Sequence, residues 1–269
     1  MNISPQNLKY ACETIEALSG ISICKEKSYL LEARLIPLAK TKSCDSVDEL
    51  ITHIKLTRSP DLINSMIELM TTNESSFFRD RNPFDILKNE VIPNLLLRKP
   101  NQKIRIWCAA CSSGQEPYSI AMLIKENFPD KAHLFNILAS DINASVVKRA
   151  EKGIFSQFEV QRGLPIQLLL KYFIQVDKDW QLKNDILHLV KFKQANLLAK
   201  LNFYEKFDII FCRNVLIYFD SKNKEAALSS LKTILDPHGV LFLGSSETIM
   251  NIKHDFKIYN PDYTGIYIQ

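Results

Sequence analysis

The strongest indication of the fold is the sequence IRIWCAACSSGQEPYSIAM, residues 104–122. The run at residues 104–109 is mostly apolar and of strand length. It leads through the small residues 109–114 into a segment with helical spacing at residues 116–127. Small side chains at a strand-to-helix turn let a ligand approach the backbone, and the helix N-terminus offers free N–H groups. The segment fits a ligand site or a tight turn without a ligand. It lacks the G-x-G-x-x-G fingerprint, so it does not support NAD binding.

The alternation of apolar runs with amphipathic helical stretches continues toward the C-terminus. The later segments are apolar residues 134–140, 207–213, 240–244, 256–259 and 264–268, and helical residues 144–152 and 221–235. Such alternation predicts a mostly parallel sheet with helices on both faces. Sheets of this kind bind ligands beyond the carboxyl ends of their strands.

The first eighty residues show helical spacing and no strand-like alternation. Ser4 and Pro5 predict a capped helix start, and further helices are predicted over about residues 28–40, after Ser46 and after Pro60. We therefore expect an all-α domain at residues 1–80, which precedes a larger α/β domain at residues 81–269.

The alternation is interrupted between residues 152 and 192. Two short segments, residues 173–176 and 180–186, flank Asp177-Lys178-Asp179, which predicts a hairpin at the edge of the main domain. The larger domain is therefore expected to carry a small antiparallel β insertion at about residues 152–191.

Composition is that of a globular protein, with 46% hydrophobic and 24% charged residues among 269. The net charge of +4 is compatible with an acidic partner, but the sequence lacks the dense basic clustering typical of nucleic-acid binding.

The start MNISPQNLKY does not resemble a signal peptide, and no apolar run reaches the roughly 18 residues needed to span a bilayer. The six scattered cysteines favour reduced thiols, so we expect a cytoplasmic protein. Cys108-x-x-Cys111 lacks a second pair or a histidine cluster, so no metal site is expected.

Polar residues follow several of the apolar runs. Asp141 in LASDIN (residues 138–143) is placed to accept hydrogen bonds from ribose hydroxyls or to cap the next helix. Asn214 and Tyr218 in FCRNVLIYFD (residues 211–220) are either ligand-site groups or a capping asparagine and a core tyrosine. Arg79 in MTTNESSFFRD (residues 70–80) is suited to hold a carboxylate in a two-pronged geometry, or it is a surface arginine.

These motifs, together with QANLL at residues 194–198, resemble the chemotaxis receptor methyltransferases, the CheR family. They occur in that family's order and at similar separations over nearly the whole chain. The resemblance implies a Rossmann-like class I methyltransferase with a mostly parallel seven-stranded sheet. It also implies S-adenosylmethionine as the cofactor, with S-adenosylhomocysteine as the product.

The resemblance carries residue roles with it. The segment at residues 70–80 would lie over the cofactor, Glu116 would bind the ammonium of its methionine end, and Asp141 would hold its ribose. Arg79, itself a cofactor contact, and Tyr218 would sit beside the transferable methyl as the catalytic pair. Gln115 stands where glutamate is commoner, a difference that we expect to matter little. The other implied cofactor contacts are Asn73, Ser75, Ala109, Asn196, Leu197, Asn214 and Val215.

The implied reaction is methyl transfer to glutamate carboxylates of chemoreceptor helices, by in-line displacement without a general base. Lys25, Lys27, Arg34, Lys40 and Lys42 form a candidate basic docking face or a solvated helix face. Relatives that grip a receptor C-terminal pentapeptide carry a glycine-rich loop where this chain has residues 177–179. We therefore expect that tether to be unused, and the protein to be a monomer without membrane insertion. The alternatives are a catalytically silent cofactor-binding scaffold or sensor, or a methyltransferase for another substrate. The sequence at residues 213–216 lacks the Asn/Asp-Pro-Pro-aromatic segment of amine methyltransferases.

Overall fold

A computed structural model describes residues 3–22, 28–201 and 203–269. The chain divides into two compact units, one formed by Met1–Thr72 with Tyr218–Lys224 and the other by Asn73–Ile217 with Glu225–Gln269. The domain boundary expected near residue 80 stays a prediction. Within the described residues, no helix has the length and apolar character needed to cross a membrane.

The first unit is built from helices that the sequence pattern predicts. They are α1 Pro5–Ser19, α2 Ser28–Thr41, α3 Val47–Thr57 and α4 Pro60–Met70. Ser4 and Ser46 cap α1 and α3, since each hydroxyl accepts a backbone N–H three residues later. The apolar faces meet in a core that includes Ala11, Ile15, Leu35, Ile54 and Met66.

The second unit contains a large sheet and a small one. The strands of the described chain are β1 Ile104–Ala109, β2 Phe135–Asp141, β3 Ile154–Ser156, β4 Phe173–Val176, β5 Asp179–Leu182, β6 Val190–Gln194, β7 Phe207–Cys212, β8 Leu235–Leu243, β9 Lys257–Ile258 and β10 Ile266–Ile268. The large sheet has the order β6-β2-β1-β7-β8-β10-β9. Its pairings are parallel from β6 to β8, and β10 is antiparallel to both β8 and β9. The predicted seven-stranded, mostly parallel sheet is confirmed.

Helices connect and cover the strands. Those after residue 80 are α5 Asn82–Ile86, α6 Ile92–Arg98, α7 Gln115–Asn127, α8 Ala144–Lys152, α9 Gln157–Gln161, α10 Ile166–Tyr172, α11 Asn184–Leu187 and α12 Ser221–Ile234. A π-helical turn, Leu87–Val91, joins α5 to α6. The strands β1 and β7 are almost wholly buried, as expected for central strands of a sheet covered on both faces.

The insertion forms its own three-stranded antiparallel sheet, in the order β3-β5-β4. The predicted hairpin is confirmed, because β4 pairs with β5 and Val176 lies opposite Asp179. It belongs to this separate sheet and not to the edge of the large one. The second strand ends at Leu182 and the chain turns into α11, so the strand predicted to residue 186 is too long. The strands β3 and β6 have no counterpart in the sequence prediction.

Candidate active site

The turn after β1 brings the backbone into an unusual conformation. Ala110, Ser112 and Gly114 have positive φ angles of 54°, 50° and 93°. The N–H of Cys111 donates to the carbonyl of Ser140 at 2.9 Å, which ties this turn to the end of β2. The N–H of Gly114 donates to the carbonyl of Cys111 at 3.0 Å, which closes the turn directly before α7.

Asp141 ends β2 beside this turn. Its Oδ2 accepts the Ser112 N–H at 2.9 Å, and its Oδ1 accepts the Asn143 N–H at 3.0 Å. The cap of α8 is instead Asn143, whose Oδ1 accepts the N–H groups of Ser145 and Val146. Asp141 is therefore not the N-cap of that helix, and its carboxylate lies where the edges of β1 and β2 meet.

Glu116, in the first turn of α7, forms an ion pair with Arg213. The Nη1 of Arg213 donates to Glu116 Oε2 at 2.8 Å, and its Nη2 donates to Asp80 Oδ2 at 2.6 Å and to the carbonyl of Arg79 at 3.0 Å. Burial raises the pKa of Glu116, although the Arg213 guanidinium opposes that shift. One buried arginine thus joins the start of α7 to the backbone of the predicted catalytic arginine.

Arg213 is a site residue that the sequence prediction missed. Its Nε is a buried side-chain atom without a hydrogen-bond partner among the described residues. A buried donor without an acceptor is costly, so its presence beside Glu116 indicates a place for an anionic ligand group. The signal in the sequence was a charged residue that follows directly on the apolar strand β7.

The segment at residues 73–81 is anchored along its length. The carbonyl of Asn73 accepts the Ser112 hydroxyl at 3.0 Å, and the N–H of Phe78 donates to the Ser119 hydroxyl at 3.0 Å. The Phe77 ring packs edge-on against Phe155 of the insertion, with ring centroids 5.0 Å apart. The hydroxyls of α7 and of the turn before it therefore hold this segment against the carboxyl edge of the sheet.

Arg79 lies within this anchored segment. Its side chain is half-buried, and its Nη1 donates to the carbonyl of Glu74 at 3.4 Å. Phe78, Asp80 and Arg81 around it have positive φ angles of 47°, 69° and 44°. Residues 78–81 therefore form a strained turn, which is stabilised by its contacts with the rest of the unit. Ser75 is half-buried and Asn73 is exposed in the same segment.

Asn214 and Val215 follow β7 and are half-buried. Asn214 has a φ angle of 59°, and the carboxylate of Glu247 accepts the backbone N–H groups of both residues. Glu247 also has no counterpart in the sequence prediction, because it lies more than thirty residues downstream of the loop that it holds.

The remaining predicted cofactor contacts lie at the ends of neighbouring strands. Ala109 is the last residue of β1 and is buried. Asn196 follows β6, and its Oδ1 accepts the N–H of Leu198 at 2.9 Å. Leu197 beside it is buried. Since β6, β2, β1 and β7 are neighbours with parallel pairings, these positions share one edge of the sheet with Asp141 and Asn214.

Tyr218 belongs to the first compact unit, whereas Arg79 belongs to the second. In its own unit, the carbonyl of Tyr218 accepts the N–H of Ser22 at 2.9 Å. The candidate docking face lies in the same unit. Lys40 and Lys42 are exposed, but Arg34 donates to the carbonyl of Met70 at 2.7 Å and so closes the end of α4. Lys25, Lys27 and Cys24 lie outside the described residues.

Gln115 is 1% exposed, and both ends of its amide are used. Its Oε1 accepts the Ser113 hydroxyl at 2.9 Å, and its Nε2 donates to Glu159 Oε1 at 3.3 Å. Glu159 in turn closes the N-terminus of α9 in a capping box with Ser156. The neutral amide at position 115 therefore faces a carboxylate, which the sequence alone does not indicate.

The buried thiols of Cys108, Cys111 and Cys212 are free, and burial raises the pKa of each well above its usual value. They are protonated, small, apolar residues at neutral pH and fill the strands and the turn. Across the described residues, no group of three or more histidine, cysteine or carboxylate side chains has an arrangement that could hold a metal ion.

The chain is similar to known methyltransferases over most of its length. A family model described as CheR methyltransferase, SAM binding domain, matches residues 73–264. The chain is 37% identical to chemotaxis protein methyltransferase Cher2 of Pseudomonas putida, over 91% of this chain and 90% of that protein. It is 36% identical to chemotaxis protein methyltransferase 1 of Vibrio cholerae, over 96% and 94%. It is also 36% identical to the chemotaxis protein methyltransferase of Borreliella burgdorferi, over 94% and 92%.

The fold and the site define an S-adenosylmethionine-dependent methyltransferase of the Rossmann-like class. The polar groups of the site suit that cofactor. Glu116 and the Nε of Arg213 match the ammonium and the carboxylate of its amino-acid group, and Asp141 at the end of β2 matches its ribose. The chain belongs to the CheR methyltransferase family, and the predicted family membership, fold class and cofactor are confirmed.

Proposed function

We propose that this protein transfers a methyl group from S-adenosylmethionine to glutamate side chains of chemoreceptors, where the resulting methyl esters serve sensory adaptation. Membership of the CheR family supports the proposal, as do relatives named chemotaxis protein methyltransferases. The observation that carries it is the ion pair of Arg213 with Glu116, because the same guanidinium donates to the carbonyl of Arg79. A cation-binding carboxylate and the carboxylate-positioning arginine are thereby held in one network.

The cofactor contacts that we propose follow the polar groups at the sheet edge. Glu116 would bind the ammonium of the methionine end, and the Nε of Arg213 would donate to the carboxylate beside it. Asp141 would accept hydrogen bonds from the ribose, and Asn196 and Leu197 would border the adenine. The other proposed contacts are Asn73, Ser75, Arg79, Ala109, Asn214 and Val215.

The cofactor supplies a methyl group already activated by a sulfonium. A glutamate carboxylate is ionised at neutral pH, so the protein needs no general base. Its own contribution is alignment of the carboxylate with the methyl group and the exclusion of water. Arg79 would position the substrate carboxylate through its guanidinium. Tyr218 would orient the attacking oxygen or the methyl group, a role that rests on the family resemblance.

We also propose that the protein works as a cytoplasmic monomer on receptor helices, with Lys40 and Lys42 contributing to a basic docking face. The chain passes from β4 to β5 through a two-residue turn, in which Asp177 has a φ angle of 54°. This short polar turn supports the proposal that no C-terminal receptor peptide is held there. Removal of the receptor C-terminus would then leave the methylation rate unchanged.

The decisive experiment measures transfer of labelled methyl from S-adenosylmethionine to receptor-enriched membranes. We expect base-labile label on the receptor, since a glutamyl methyl ester is hydrolysed by base. Arg79→Ala should abolish most of the transfer. Arg81→Ala is the matched control, because Arg81 is an exposed arginine in the same strained turn.

Three outcomes separate the alternatives. Base-labile label that is lost in Arg79→Ala and kept in Arg81→Ala supports glutamate methylation and the positioning arginine. Cofactor binding without label on any receptor preparation indicates a silent scaffold or sensor. Base-stable label, or label on another molecule, indicates a methyltransferase with a different substrate.

A further inference from the structure

Glu247 is a buried carboxylate, 5% exposed, that serves as the acceptor for five backbone donors. Its Oε1 accepts the N–H groups of Val215 at 2.9 Å, Leu216 at 2.7 Å and Ile217 at 3.3 Å. Its Oε2 accepts those of Asn214 at 2.7 Å and Gly244 at 2.6 Å. Four consecutive N–H groups of the loop after β7 therefore depend on one side chain from the loop after β8.

The loop needs that acceptor because its backbone has no local one. The loop enters the 3-10 turn Leu216–Tyr218, and the first N–H groups of any helical turn lack partners within that turn. Asn214 has a φ angle of 59°, a left-handed conformation that asparagine tolerates better than most other non-glycine residues. The carboxylate stabilises this conformation by accepting the N–H groups of Asn214 and of the residues after it.

The space around the carboxylate is filled on its other side by Gly244. A Cβ on that glycine would lie 2.8 Å from Glu247 Oε2, 2.8 Å from Asn214 Nδ2 and 3.1 Å from Asn214 N. The two contacts at 2.8 Å are too short for carbon, so a side chain at position 244 would displace the Glu247 carboxylate, the Asn214 amide or both. Gly244 thus lies in close contact with both the Glu247 carboxylate and the Asn214 side chain.

We propose that Glu247 is a positioning residue for the cofactor, because it sets the backbone of Asn214 and Val215 at the carboxyl edge of the sheet. It does not touch the reacting groups. The inference rests on the proposed contacts of Asn214 and Val215 with the cofactor, and not on the identity of the methyl acceptor. Binding of S-adenosylhomocysteine is therefore the measurement that tests it.

A purely structural role is separated from a positioning role by a second buried carboxylate of the same unit. Asp208 is 1% exposed, and it accepts the Arg105 N–H at 2.9 Å and pairs with Lys99. It lies near the start of β7, whereas Asn214 follows the end of that strand. Asp208→Asn and Glu247→Gln both remove one buried negative charge, but only the second change affects the loop after β7.

The experiment is calorimetric titration of the full chain with S-adenosylhomocysteine, together with thermal unfolding of each variant. In Glu247→Gln the new amide nitrogen donates only and faces backbone donors. We expect the dissociation constant to rise about tenfold or more, a change of about 1.4 kcal/mol or more in binding free energy. Asp208→Asn should leave the dissociation constant unchanged, even if it lowers the melting temperature as much as Glu247→Gln does.

Equal affinities in the two variants would overturn the proposal. If Glu247→Gln does not fold, Glu247→Asp decides, because it keeps the charge but shortens the side chain by one methylene and so withdraws the carboxylate from the loop. Weakened binding in that variant supports the proposal, and unchanged binding overturns it. Asn214→Ala is measured in parallel. Weaker binding in Asn214→Ala with normal binding in Glu247→Gln refutes only the role of Glu247, whereas normal binding in both also refutes the proposed contact of Asn214.

Discussion

The carbonyl oxygen of Phe77 lies 2.0 Å from the position that a Cβ on Gly163 would occupy. The N–H of the same phenylalanine donates to the carbonyl of Arg162 at 3.2 Å. The strained segment that carries Arg79 is therefore packed backbone to backbone against the link between α9 and α10. The insertion therefore supports the segment that we propose to lie over the cofactor.

Gly163→Ala should damage both stability and cofactor binding. Gly163 has a φ angle of 84°, so alanine there costs about 1–2 kcal/mol in backbone strain before any clash is counted. Because the clash is with the Phe77 carbonyl, we expect the segment to shift and S-adenosylhomocysteine to bind less tightly. Urea unfolding and calorimetric titration measure the two effects.

Gly153→Ala is the control for that change. Gly153 is also left-handed, with a φ angle of 62°, but the nearest atom to its added Cβ is a leucine methyl, Leu187 Cδ1, at 2.6 Å. It should destabilise the insertion while affinity is retained. Equal losses of affinity in both variants would contradict a specific role for the contact with Phe77.

Removal of Arg213 should cost more than removal of both members of its ion pair. Arg213→Met leaves Glu116 buried without its counter-charge, which typically costs about 3–5 kcal/mol. In the double variant with Glu116→Gln, about 1–3 kcal/mol of that lost stability should be restored. Denaturant unfolding of the two single variants and the double variant provides the coupling energy, and additive losses would show that the two groups are independent.

The affinity for S-adenosylmethionine should depend on pH through Glu116. Burial raises the pKa of this carboxyl, and Glu247 adds to the shift, while Arg213 and Arg79 oppose it. If Glu116 binds the ammonium as proposed, only its ionised form does so. The affinity should then fall as the pH drops through this raised pKa, at a higher pH than for an exposed glutamate. Titration of wild type against Glu116→Gln checks this, since the variant should bind weakly and without that pH dependence.

The same group has the opposite effect on the protein without cofactor. Because the pKa of Glu116 is higher in the folded state than in the unfolded state, the folded state holds the proton more firmly. Its contribution to the free energy of unfolding therefore falls as the pH rises between the two pKa values. If the free energy of unfolding of the wild type instead rises over that interval relative to that of Glu116→Gln, the raised pKa of Glu116 is contradicted.

Gln115→Glu should destabilise the protein at neutral pH by about 1–3 kcal/mol, because the new carboxylate would face Glu159 in a buried site. The loss should shrink at acidic pH and in the double variant with Glu159→Gln. Gln157→Glu is the matched control. Gln157 is exposed, and its Oε1 accepts the Trp180 indole N–H at 2.7 Å, a role that a carboxylate can also fill. Urea unfolding at two pH values tests all of these variants.

Local chemistry made several elements predictable from the sequence. The helix α8 has the predicted limits of residues 144 and 152 because Asn143 caps its first turn and the left-handed Gly153 ends it. The strand β1 also has its predicted limits, since a run that is apolar except for Arg105, between polar and small residues, is typical of a central parallel strand. The order of the family motifs identified the cofactor and its sheet edge.

Elements whose existence depends on a distant partner were not predictable in this way. The strand β6, with the sequence VKFKQ, contains only two apolar residues, and it becomes a strand because its backbone pairs with β2. The strand β3 is three residues long and exists through its pairing with β5. In both cases the hydrogen-bond partners, and not the local side chains, determine the conformation.

The fold class, the family, the cofactor and the sheet edge at which the polar residues gather were all predictable from the sequence, because they follow from short-range spacing and motif order. The pairing of Arg213 with Glu116, the support of the loop after β7 by Glu247 and the fit of Gly163 against Phe77 became evident only in the folded structure. These contacts join residues between 30 and 97 positions apart. A charged or small residue is compatible with many such partners, and close packing of the folded chain selects one of them.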